Sequence, residues 1–272
     1  MSVARRPPAL LQVADNQAVS AHRRRIVLAG ASLADFPLDR PGAHIKLFFA
    51  PAGETQPALP IVTADGPVWP TDRPRPIVRT YSVRHVDPAR CRLSVDFVMH
   101  ADDGPAAAWA ATATSGATVG LAGPGGPMPM LAAAPYYLLV GDLSALPAIE
   151  ALLAGLPDTA RGDVFIHVPD EDDAARLPHV APGISLHWRY GPADGRVDHA
   201  WCAQIIAQAP APEHGFAWVA GENATVIALR RMLRDRGWPR EAMYAVPYWK
   251  SQLTEERYHA ERHQVMDAFD VD

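Results

Sequence analysis

Hydrophobic and polar residues alternate in short segments through the first half of the chain, with Pro, Gly and Asp between them. This period of two predicts half-buried β-strands. The predicted strands are "RRRIVLAG" (23–30), "HIKLFFA" (44–50), "IVRTYSV" (77–83), "CRLSVDFVMH" (91–100) and "ATVGLAG" (117–123). Because most of these strands follow one another without a helix, the pattern predicts an antiparallel Greek-key β-barrel.

Three segments interrupt this series of strands. "HVDPAR" (85–90) has the Asp-Pro pair of a hairpin turn, and residues 51–74 are rich in Pro and Gly, which predicts a long excursion. "GPAAAWAATA" (104–113) predicts one helix. Residues 1–20 carry Pro7 and Pro8 and are expected to form a loosely held N-terminal arm.

In the second half, continuous apolar runs alternate with segments of helical period. The run "YYLLVGD" (136–142) is typical of a buried parallel strand. The later predicted strands are "DVFIHVPD" (163–170), "ISLHWRY" (184–190), "GFAWVAGE" (215–222) and "AMYAVPYW" (242–249). Helices are expected in "SALPAIEALLAGLP" (144–157), "DHAWCAQIIAQA" (198–209) and "NATVIALRRMLRDRGW" (223–238). The alternation predicts a doubly wound α/β domain with a parallel sheet.

These patterns divide the chain into four parts. After the N-terminal arm, a barrel domain covers residues 21–130 and an α/β domain covers residues 131–250. Residues 251–272 are expected to form a helical C-terminal tail.

Composition excludes several classes of protein. The 272 residues are 49% hydrophobic with a net charge of −5, which argues against a nucleic-acid or membrane-surface binder. No apolar run is long enough to span a bilayer, and no apolar h-region follows Arg5 and Arg6. Cys91 and Cys202 lie far apart, and the eleven histidines form no metal-binding motif, so no metal site is predicted. We expect a cytoplasmic protein with reduced thiols.

The segment "RTYSV" (79–83) is the first candidate ligand site. Side chains two residues apart share one face of a strand, so Arg79 and Tyr81 lie side by side. An arginine can bind phosphate, a tyrosine can cover a flat ring, and the Ser82 hydroxyl can reach a ring nitrogen. Taken alone, the pair is more typical of the solvated face of an edge strand.

The segment that follows the strand at 91–100 offers an anion site. The helix predicted after Gly104 begins with exposed N–H groups. His100 either hydrogen-bonds a phosphate or ribose or satisfies a loop carbonyl, and Trp109 is either a stacking platform or a core residue.

Two turns at the carboxyl edge of the predicted sheet form the second candidate site. Gly141 permits close approach, Asp142 or Ser144 can cap the next helix, and "AGEN" (220–223) repeats the arrangement. The acidic run 170–173 could bind ribose hydroxyls, or could be a solvated loop, whereas Arg176 and Arg189 could accept a 2′-phosphate. The pattern leans slightly towards NADH.

Six segments in one order resemble the siderophore-interacting proteins, flavin-dependent ferric-siderophore reductases related to ferredoxin-NADP reductases. The segments are "RTYSV" (79–83), "VDFVMHADDGPAAAWA" (95–110), "GLAGPGG" (120–126), "GDLSALPAI" (141–149), "AGE" (220–222) and "YWK" (248–250). The resemblance covers about residues 20–250 and implies a barrel that binds FAD and an α/β domain that binds NADH or NADPH.

The resemblance also implies roles for individual residues. Arg79 would bind the flavin phosphates, Tyr81 would pack on the isoalloxazine ring, and Ser82 would approach N5. Asp96 to His100 would contact the ribityl, phosphate and adenosine portion of the flavin largely through the backbone, and this stretch includes the site residues Asp96, Phe97, Val98 and His100. The other residues implied at the FAD site are Gly104, Ala106, Ala107 and Trp109. The nicotinamide cofactor would contact Gly141, Asp142, Ser144, Ala145, Gly221 and Glu222, with Tyr248 and Trp249 near the flavin.

The implied reaction is hydride transfer from NAD(P)H to the flavin and single-electron transfer onward to Fe(III), which loosens its chelate. Iron would enter as a chelated substrate, and the basic candidates to meet an anionic siderophore are Lys46, Arg84, Lys250 and Arg257. Taken individually, each of these residues is more typical of an ordinary surface charge. Two alternatives stay open: electron transfer with ferredoxin or flavodoxin, and a siderophore-binding protein without enzymatic activity.

The chain departs from the family pattern at four points. Ala107 replaces a usual serine, Ala101 replaces the glycine after the histidine, and Gly125 replaces a basic residue. After Lys250 the sequence continues "SQLTEERYH" (251–259) rather than Arg-Gly. The first change removes a hydroxyl donor for phosphate, and the last alters the surface expected to face the siderophore.

Overall fold

The computed structural model describes residues 6–64, 66–99, 104–174, 177, 179–192 and 197–271. The chain forms two compact units, one ending at Met128 and the other beginning at Pro129. We call them the barrel unit and the sheet unit. Among the described residues, no helix has the length and apolar character needed to cross a bilayer.

The barrel unit is built from antiparallel strands and one helix. Its elements are β1 (Ala9–Ser20), β2 (Arg23–Ala29), β3 (His44–Phe49), β4 (Ile61–Thr63), β5 (Gly66–Val68), β6 (Ile77–Ser82), β7 (His85–Asp87), β8 (Arg92–Val98), α1 (Pro105–Thr112) and β9 (Thr118–Gly125). Seven strands form one sheet in the order β6-β3-β9-β1-β2-β8-β7, and β4 and β5 form a separate hairpin within the excursion at 51–74. All the predicted strands are present.

The long sheet curls into a barrel around an apolar core. The Arg84 N–H, just after β6, donates to the Ser94 carbonyl of β8 at 3.1 Å, which brings the two ends of the sheet together. Inward-facing side chains such as Leu28, Ile45 and Val95 are fully buried. The predicted turn at 85–90 joins β7 to β8, where the Asp87 side chain accepts a hydrogen bond from the Arg90 N–H.

The prediction of a loose arm over residues 1–20 is wrong for its larger part. Residues Ala9–Ser20 form β1, which pairs with β2 on one side and β9 on the other. Leu11 and Val13 are buried in the barrel core, whereas Leu10 and Gln12, which alternate with them, are exposed. This period of two outweighs Pro7 and Pro8, which lie before the strand begins and cost it no hydrogen bond.

The sheet unit contains a five-stranded parallel sheet. Its elements are β10 (Tyr136–Asp142), α2 (Leu146–Ala154), β11 (Arg161–Val168), β12 (Gly183–Tyr190), α3 (His199–Gln208), β13 (Gly215–Glu222), α4 (Asn223–Asp235), β14 (Met243–Trp249) and α5 (Glu255–Val271). The strand order is β12-β11-β10-β13-β14. The strand order reverses between β10 and β13, so a crevice is expected outside their carboxyl ends.

Helices are expected on both faces of this sheet. The crossover through α2 runs from β10 towards β11, whereas the crossover through α4 runs the other way, from β13 to β14. Because both crossovers are right-handed by rule, these two helices cover opposite faces. On the face of α3 and α4, Cys202, Val219 and Leu229 belong to one buried cluster. The predicted doubly wound fold is confirmed.

Candidate functional site

In the barrel unit, β6 presents Arg79 and Tyr81 on one face, as the alternation predicts. In register with β3, Arg79 lies opposite Leu47 and Tyr81 lies opposite Ile45. Both of these side chains of β6 are half-buried, whereas their two partners are fully buried in the core. The strand therefore places a guanidinium and a phenol ring next to each other at the edge of the barrel.

Aromatic side chains connect this face to α1. The ring of Tyr81 lies 4.3 Å from that of Phe97, and Phe97 lies 5.9 Å from Trp109. Trp109 also packs 5.1 Å from Phe49. Since Phe97 is buried and Trp109 packs on the core, a ligand contact at Phe97 would use its backbone, and Trp109 has the position of a core residue.

The first turn of α1 supplies backbone donors. Gly104 is the N-cap and makes no side-chain cap, and Pro105 occupies the first helical position. The first intrahelical hydrogen bond starts at the Ala108 N–H, so the N–H groups of Ala106 and Ala107 precede the helical ladder. A Cβ added at Gly104 would meet nothing within 4 Å. His100 and the three residues after it lie outside the described residues.

The Asp96 carboxylate is paired with arginines of the barrel unit. Its carboxylate accepts two hydrogen bonds from Arg25, at 2.6 and 2.8 Å, and lies 3.4 Å from Arg23 and 3.8 Å from Arg84. The side chain of Asp96 is 1% exposed. The cluster therefore turns Arg84, a candidate for contact with substrate, towards a buried carboxylate. Any ligand contact at Asp96 would be made by its backbone.

The donors of the barrel unit fit a flat ligand that carries phosphates. The phosphates of such a ligand suit the guanidinium and the two N–H groups at the helix start. Its flat ring suits the face of the phenol. The Ser82 hydroxyl is on a 7% exposed residue at the end of β6. No described atom lies within 4 Å of a Cβ added at Gly104, so the described residues do not crowd this helix start, and Ala107 supplies no hydroxyl there.

In the sheet unit, the Asp142 carboxylate joins three elements at the carboxyl edge. One oxygen accepts from the N–H and hydroxyl of Ser144, at 2.9 and 2.5 Å, and from the Ala145 N–H at 3.3 Å. The other oxygen accepts from the Glu222 N–H at 2.8 Å and from the Trp249 indole at 2.7 Å. Asp142 therefore holds together the start of α2 and the ends of β13 and β14.

Two glycines make this arrangement possible. A Cβ at Gly221, whose φ is +138°, would lie 2.5 Å from the Asp142 carboxylate. A Cβ at Gly141 would lie 2.7 Å from the Cβ of Ala145. Each glycine lets another group come close to its backbone, as the sequence predicts for Gly141. The groups that come close are side chains of this protein, Asp142 at Gly221 and Ala145 at Gly141.

Glu222 caps α4 from a buried position. Its carboxylate accepts from the N–H groups of Ala224 and Thr225, at 2.6 and 3.3 Å, and from the Ser251 N–H at 3.4 Å. Burial raises the pKa of this carboxyl group, and its hydrogen bonds from the backbone only partly oppose the rise. The end of β13 therefore carries an acid whose charged form is disfavoured.

A cavity of about 570 Å³ opens at this edge of the sheet. It reaches from the ends of β10 and β13 to the end of β12 and the start of α3, and includes Glu222 and Thr225. We call its far part, lined by His167, Arg189, Tyr190, Asp198, His199 and Trp201, the β12–α3 cleft. Sequence reasoning named Arg189 and missed the others, because only the fold brings the end of β12 to the first turn of α3.

The acidic run at 170–173 does not line this cavity. Asp170 caps a short 3₁₀ turn by accepting from the Asp172 N–H at 2.8 Å, and Asp173 is buried. The run has the structure of a local turn, so the observed position gives no support to a role in binding ribose. Arg176 lies outside the described residues.

The aromatic and basic residues proposed to lie near the flavin or the substrate occupy different places in the structure. Tyr248 packs edge-on against Trp218 at 6.4 Å, and Lys250 forms an ion pair with Glu261 of α5. Arg257 is exposed on α5, and in the barrel unit Lys46 is exposed on β3. The roles proposed for these residues towards a substrate stay predictions.

Two family descriptions together cover most of the chain. Residues 12–128 match the siderophore-interacting FAD-binding domain, and residues 134–252 match the siderophore-interacting protein family. The first match coincides with the barrel unit from β1 onward, and the second with the parallel sheet.

Individual relatives extend over nearly the whole chain. The chain is 39% identical over 264 residues to the ferric vibriobactin reductase ViuB of Vibrio cholerae, covering 96% of each chain. It is 33% identical over 237 residues to the NADPH-dependent ferric-chelate reductase of Escherichia coli, covering 86% of this chain and 89% of that protein. The crystal structure of the siderophore-interacting protein SipS from Aeromonas hydrophila matches with a TM-score of 0.83 and 35% identity, covering 96% of this chain and 98% of SipS.

Proposed function

Since the chain belongs to the siderophore-interacting protein family, we propose that it is an NAD(P)H-dependent, FAD-containing ferric-siderophore reductase. It would release iron by reducing chelated Fe(III) to Fe(II). The observation that carries the proposal is the shared face of Arg79 and Tyr81 on β6 of the FAD-type barrel. We place FAD in the barrel unit, which ends at Met128, and the nicotinamide cofactor in the sheet unit, which begins at Pro129.

In the barrel, each proposed contact follows from the chemistry of the side chain. The Arg79 guanidinium would bind a phosphate, the Tyr81 ring would cover the flavin face, and the Ser82 hydroxyl would lie near N5. The N–H groups of Ala106 and Ala107 would bind the second phosphate at the helix start. FAD supplies the conversion between two-electron and single-electron transfer, and the protein supplies position and electrostatics.

In the sheet unit, the residues of the crevice would orient the nicotinamide cofactor. Asp142 fixes the turn before α2 and the indole of Trp249, so its role is to position these groups. Glu222 carries a buried carboxyl group whose pKa is raised by burial, and it holds the first N–H groups of α4 beside the crevice. These residues are assigned a positioning role and no proton transfer, because the hydride would pass directly between the two cofactors and the one proton released on reoxidation of the flavin can pass to solvent.

The substrate is a ferric siderophore, with iron held by its chelator. Oxygen ligands hold Fe(III) more tightly than Fe(II), so reduction loosens the chelate. Lys46, Arg84, Lys250 and Arg257 are the proposed basic contacts, although Arg84 and Lys250 already pair with carboxylates. The free thiols of Cys91 and Cys202 are consistent with the proposed cytoplasmic location.

The first test is whether the barrel holds flavin. The purified protein, as isolated or after incubation with FAD and removal of the excess, should show a flavin absorption spectrum with about one FAD per chain. A colourless protein that does not retain added FAD would refute the proposal.

A further inference from the structure

We infer that His44 is a further catalytic residue, which donates a proton to the chelating oxygen that iron leaves when it is reduced. This inference rests on the proposed function, because it takes a ferric siderophore as the substrate. It adds the residue that couples the transfer of a proton to the transfer of an electron.

The side chain of His44 is a neighbour of Ser82. His44 begins β3, is half-buried, and lies opposite Ser82 of β6. The pair before it is joined by a backbone hydrogen bond, since the Val83 N–H donates to the Ala43 carbonyl at 2.9 Å. The next pair of an antiparallel ladder has no such bond, and its Cα atoms lie about 4.5 Å apart with both side chains on one face. His44 therefore stands beside the hydroxyl that is proposed to lie near flavin N5.

A glycine of the strand on the other side makes room for the imidazole. His44 also pairs with Gly125 of β9, and a Cβ added at Gly125 would lie 2.6 Å from Nε2 of the ring. Gly125 is not among the glycines with a positive φ, so its backbone conformation is open to other residues. What a side chain at this position would disturb is the place of the imidazole, which the two neighbouring strands define.

The same face carries a cation for an anionic chelate. Lys46 is two residues further along β3, so it shares the face of His44, and it is exposed. Its partners in the two ladders are Thr80 of β6 and Ala122 of β9. Among the described residues that these three strands place on this face, Lys46 is the one charged side chain besides the imidazole. His44 is therefore the neighbour of a residue proposed near the flavin and of a residue proposed at the chelate.

Release of chelated iron takes up protons as well as electrons. Oxygen donors hold Fe(III) more tightly than Fe(II), and a chelating oxygen that loses its iron is a base. In the inferred step, one electron from the reduced flavin converts Fe(III) to Fe(II) and an iron–oxygen bond breaks. The proton of the His44 imidazolium forms the O–H bond on the released oxygen, and the neutral imidazole regains a proton from water. Imidazole suits this role because it gains and loses a proton near neutral pH.

The first test compares two iron(III) acceptors by stopped flow, using the FAD-loaded full chain reduced with stoichiometric dithionite. A ferric tris-catecholate is protonated when its iron leaves, whereas ferricyanide keeps its ligands in both oxidation states. At about pH 6, His44→Gln should slow flavin reoxidation by the catecholate at least about tenfold and that by ferricyanide less than about twofold. His85→Gln, at an exposed histidine of β7, should match the parent with both acceptors.

A second variant moves the imidazole without removing it. Gly125→Ala places a Cβ where the ring of His44 now lies, so it should also slow the reaction with the catecholate and spare the reaction with ferricyanide. The parent rate with the catecholate, divided by the rate of His44→Gln, should fall as pH rises from about 6 to about 8, because the parent imidazolium loses its proton. Equal slowing with both acceptors, no slowing with the catecholate, or a ratio that is constant with pH would overturn the inference.

Contact with the substrate is tested without turnover. Gallium(III) tris-catecholate has the shape and charge of the ferric chelate and is not reduced. In protein with 15N-labelled histidines, the His44 signals are those missing from His44→Gln. They should shift when the gallium chelate is added, whereas the His85 signals should not. Unshifted His44 signals at saturating gallium chelate would also overturn the inference.

The proposed function would fail in a different way. A parent protein that does not hold FAD, or whose reduced flavin is not reoxidised by the ferric catecholate, would refute the reductase itself. If the parent holds FAD and reduces the chelate, and His44→Gln does so at the same rate, the inference about His44 alone is wrong.

Discussion

At the scale of single residues, Arg79 carries the largest share of the proposed flavin site. Replacing Arg79 with Ala removes a half-buried guanidinium from β6 while leaving the strand and its pairing with β3 intact. We expect FAD to dissociate about 10–100-fold more readily, because a charge-assisted phosphate contact is lost. Equilibrium dialysis of the FAD-loaded protein measures this change.

A matched control lies in the same unit. Arg73 is 40% exposed and pairs with Glu54 in the excursion at 51–74, so Arg73→Ala should retain FAD like the parent. Equal FAD retention by Arg79→Ala and Arg73→Ala would show that Arg79 does not bind the cofactor.

The pKa of Glu222 gives a prediction about pH. Burial raises this pKa, so the native state binds a proton more readily than the unfolded chain. The contribution of Glu222 to stability is therefore present at acidic pH and is lost as pH rises through its folded pKa. Glu222→Gln abolishes this titration and keeps an acceptor for the N–H groups of α4.

The free energy of unfolding of Glu222→Gln, relative to the parent, should accordingly increase between about pH 4 and about pH 7. Urea denaturation at several pH values measures it. Glu213→Gln, at a carboxylate with 69% of its side chain exposed, serves as the control and should show no such increase. A difference between Glu222→Gln and the parent that stays constant with pH would refute the assignment.

At the scale of elements, Asp142 ties the ends of two strands to a helix. Asp142→Ala would leave the Glu222 N–H and the Trp249 indole without their acceptor at a position that is 8% exposed. We expect a loss in the free energy of unfolding of about 1–3 kcal/mol for each buried donor left without an acceptor. Chemical denaturation followed by tryptophan fluorescence measures this loss.

The equivalent acid after the neighbouring strand provides the comparison. Asp170 follows β11, is exposed, and caps only a short turn, so Asp170→Ala should cost less than about 1 kcal/mol. Similar losses for the two variants would mean that the hydrogen bonds of Asp142 have no special role in stability.

The local hydrogen bonds of Asp142 could be predicted from the sequence, whereas its long-range hydrogen bonds could not. The strand–turn–helix pattern predicts that Asp142 or Ser144 caps α2. The structure places the Asp142 bonds two and three residues away, at the N–H groups of Ser144 and Ala145, but α2 itself has Ala145 as its N-cap and no side-chain cap. The bonds to Glu222 and Trp249 span 80 and 107 residues. Only the strand order, which puts β13 and β14 beside β10, brings these groups together.

The same distinction between local and long-range information explains why the prediction of an N-terminal arm over residues 1–20 was wrong. Two prolines and an N-terminal position suggested an arm, whereas the pairing of β1 with β9 joins residues more than a hundred positions apart. Leu11 and Val13 show the period of two that was the available signal. At the scale of elements, periodicity was therefore more informative than position in the chain.

At the scale of the whole molecule, the two patterns of hydrophobic residues predict the two units well. Alternation gives the antiparallel barrel, and apolar runs between helices give the parallel sheet. Of the β12–α3 cleft the sequence pointed only to Arg189, because the other walls come from the end of β11 and the first turn of α3, which the fold brings beside the end of β12. The family descriptions match the same two regions, at residues 12–128 and 134–252.

The central claim is that this molecule passes electrons from a nicotinamide cofactor through FAD to a ferric siderophore. The direct measurement mixes the FAD-loaded protein anaerobically with NADPH and then with a ferric siderophore, while a chelator that colours with ferrous iron is present. We expect the flavin absorbance to bleach with NADPH and to return with the siderophore, with two Fe(II) formed for each FAD reoxidised. Bleaching without ferrous iron, or reoxidation by ferredoxin but not by ferric siderophores, would contradict the account.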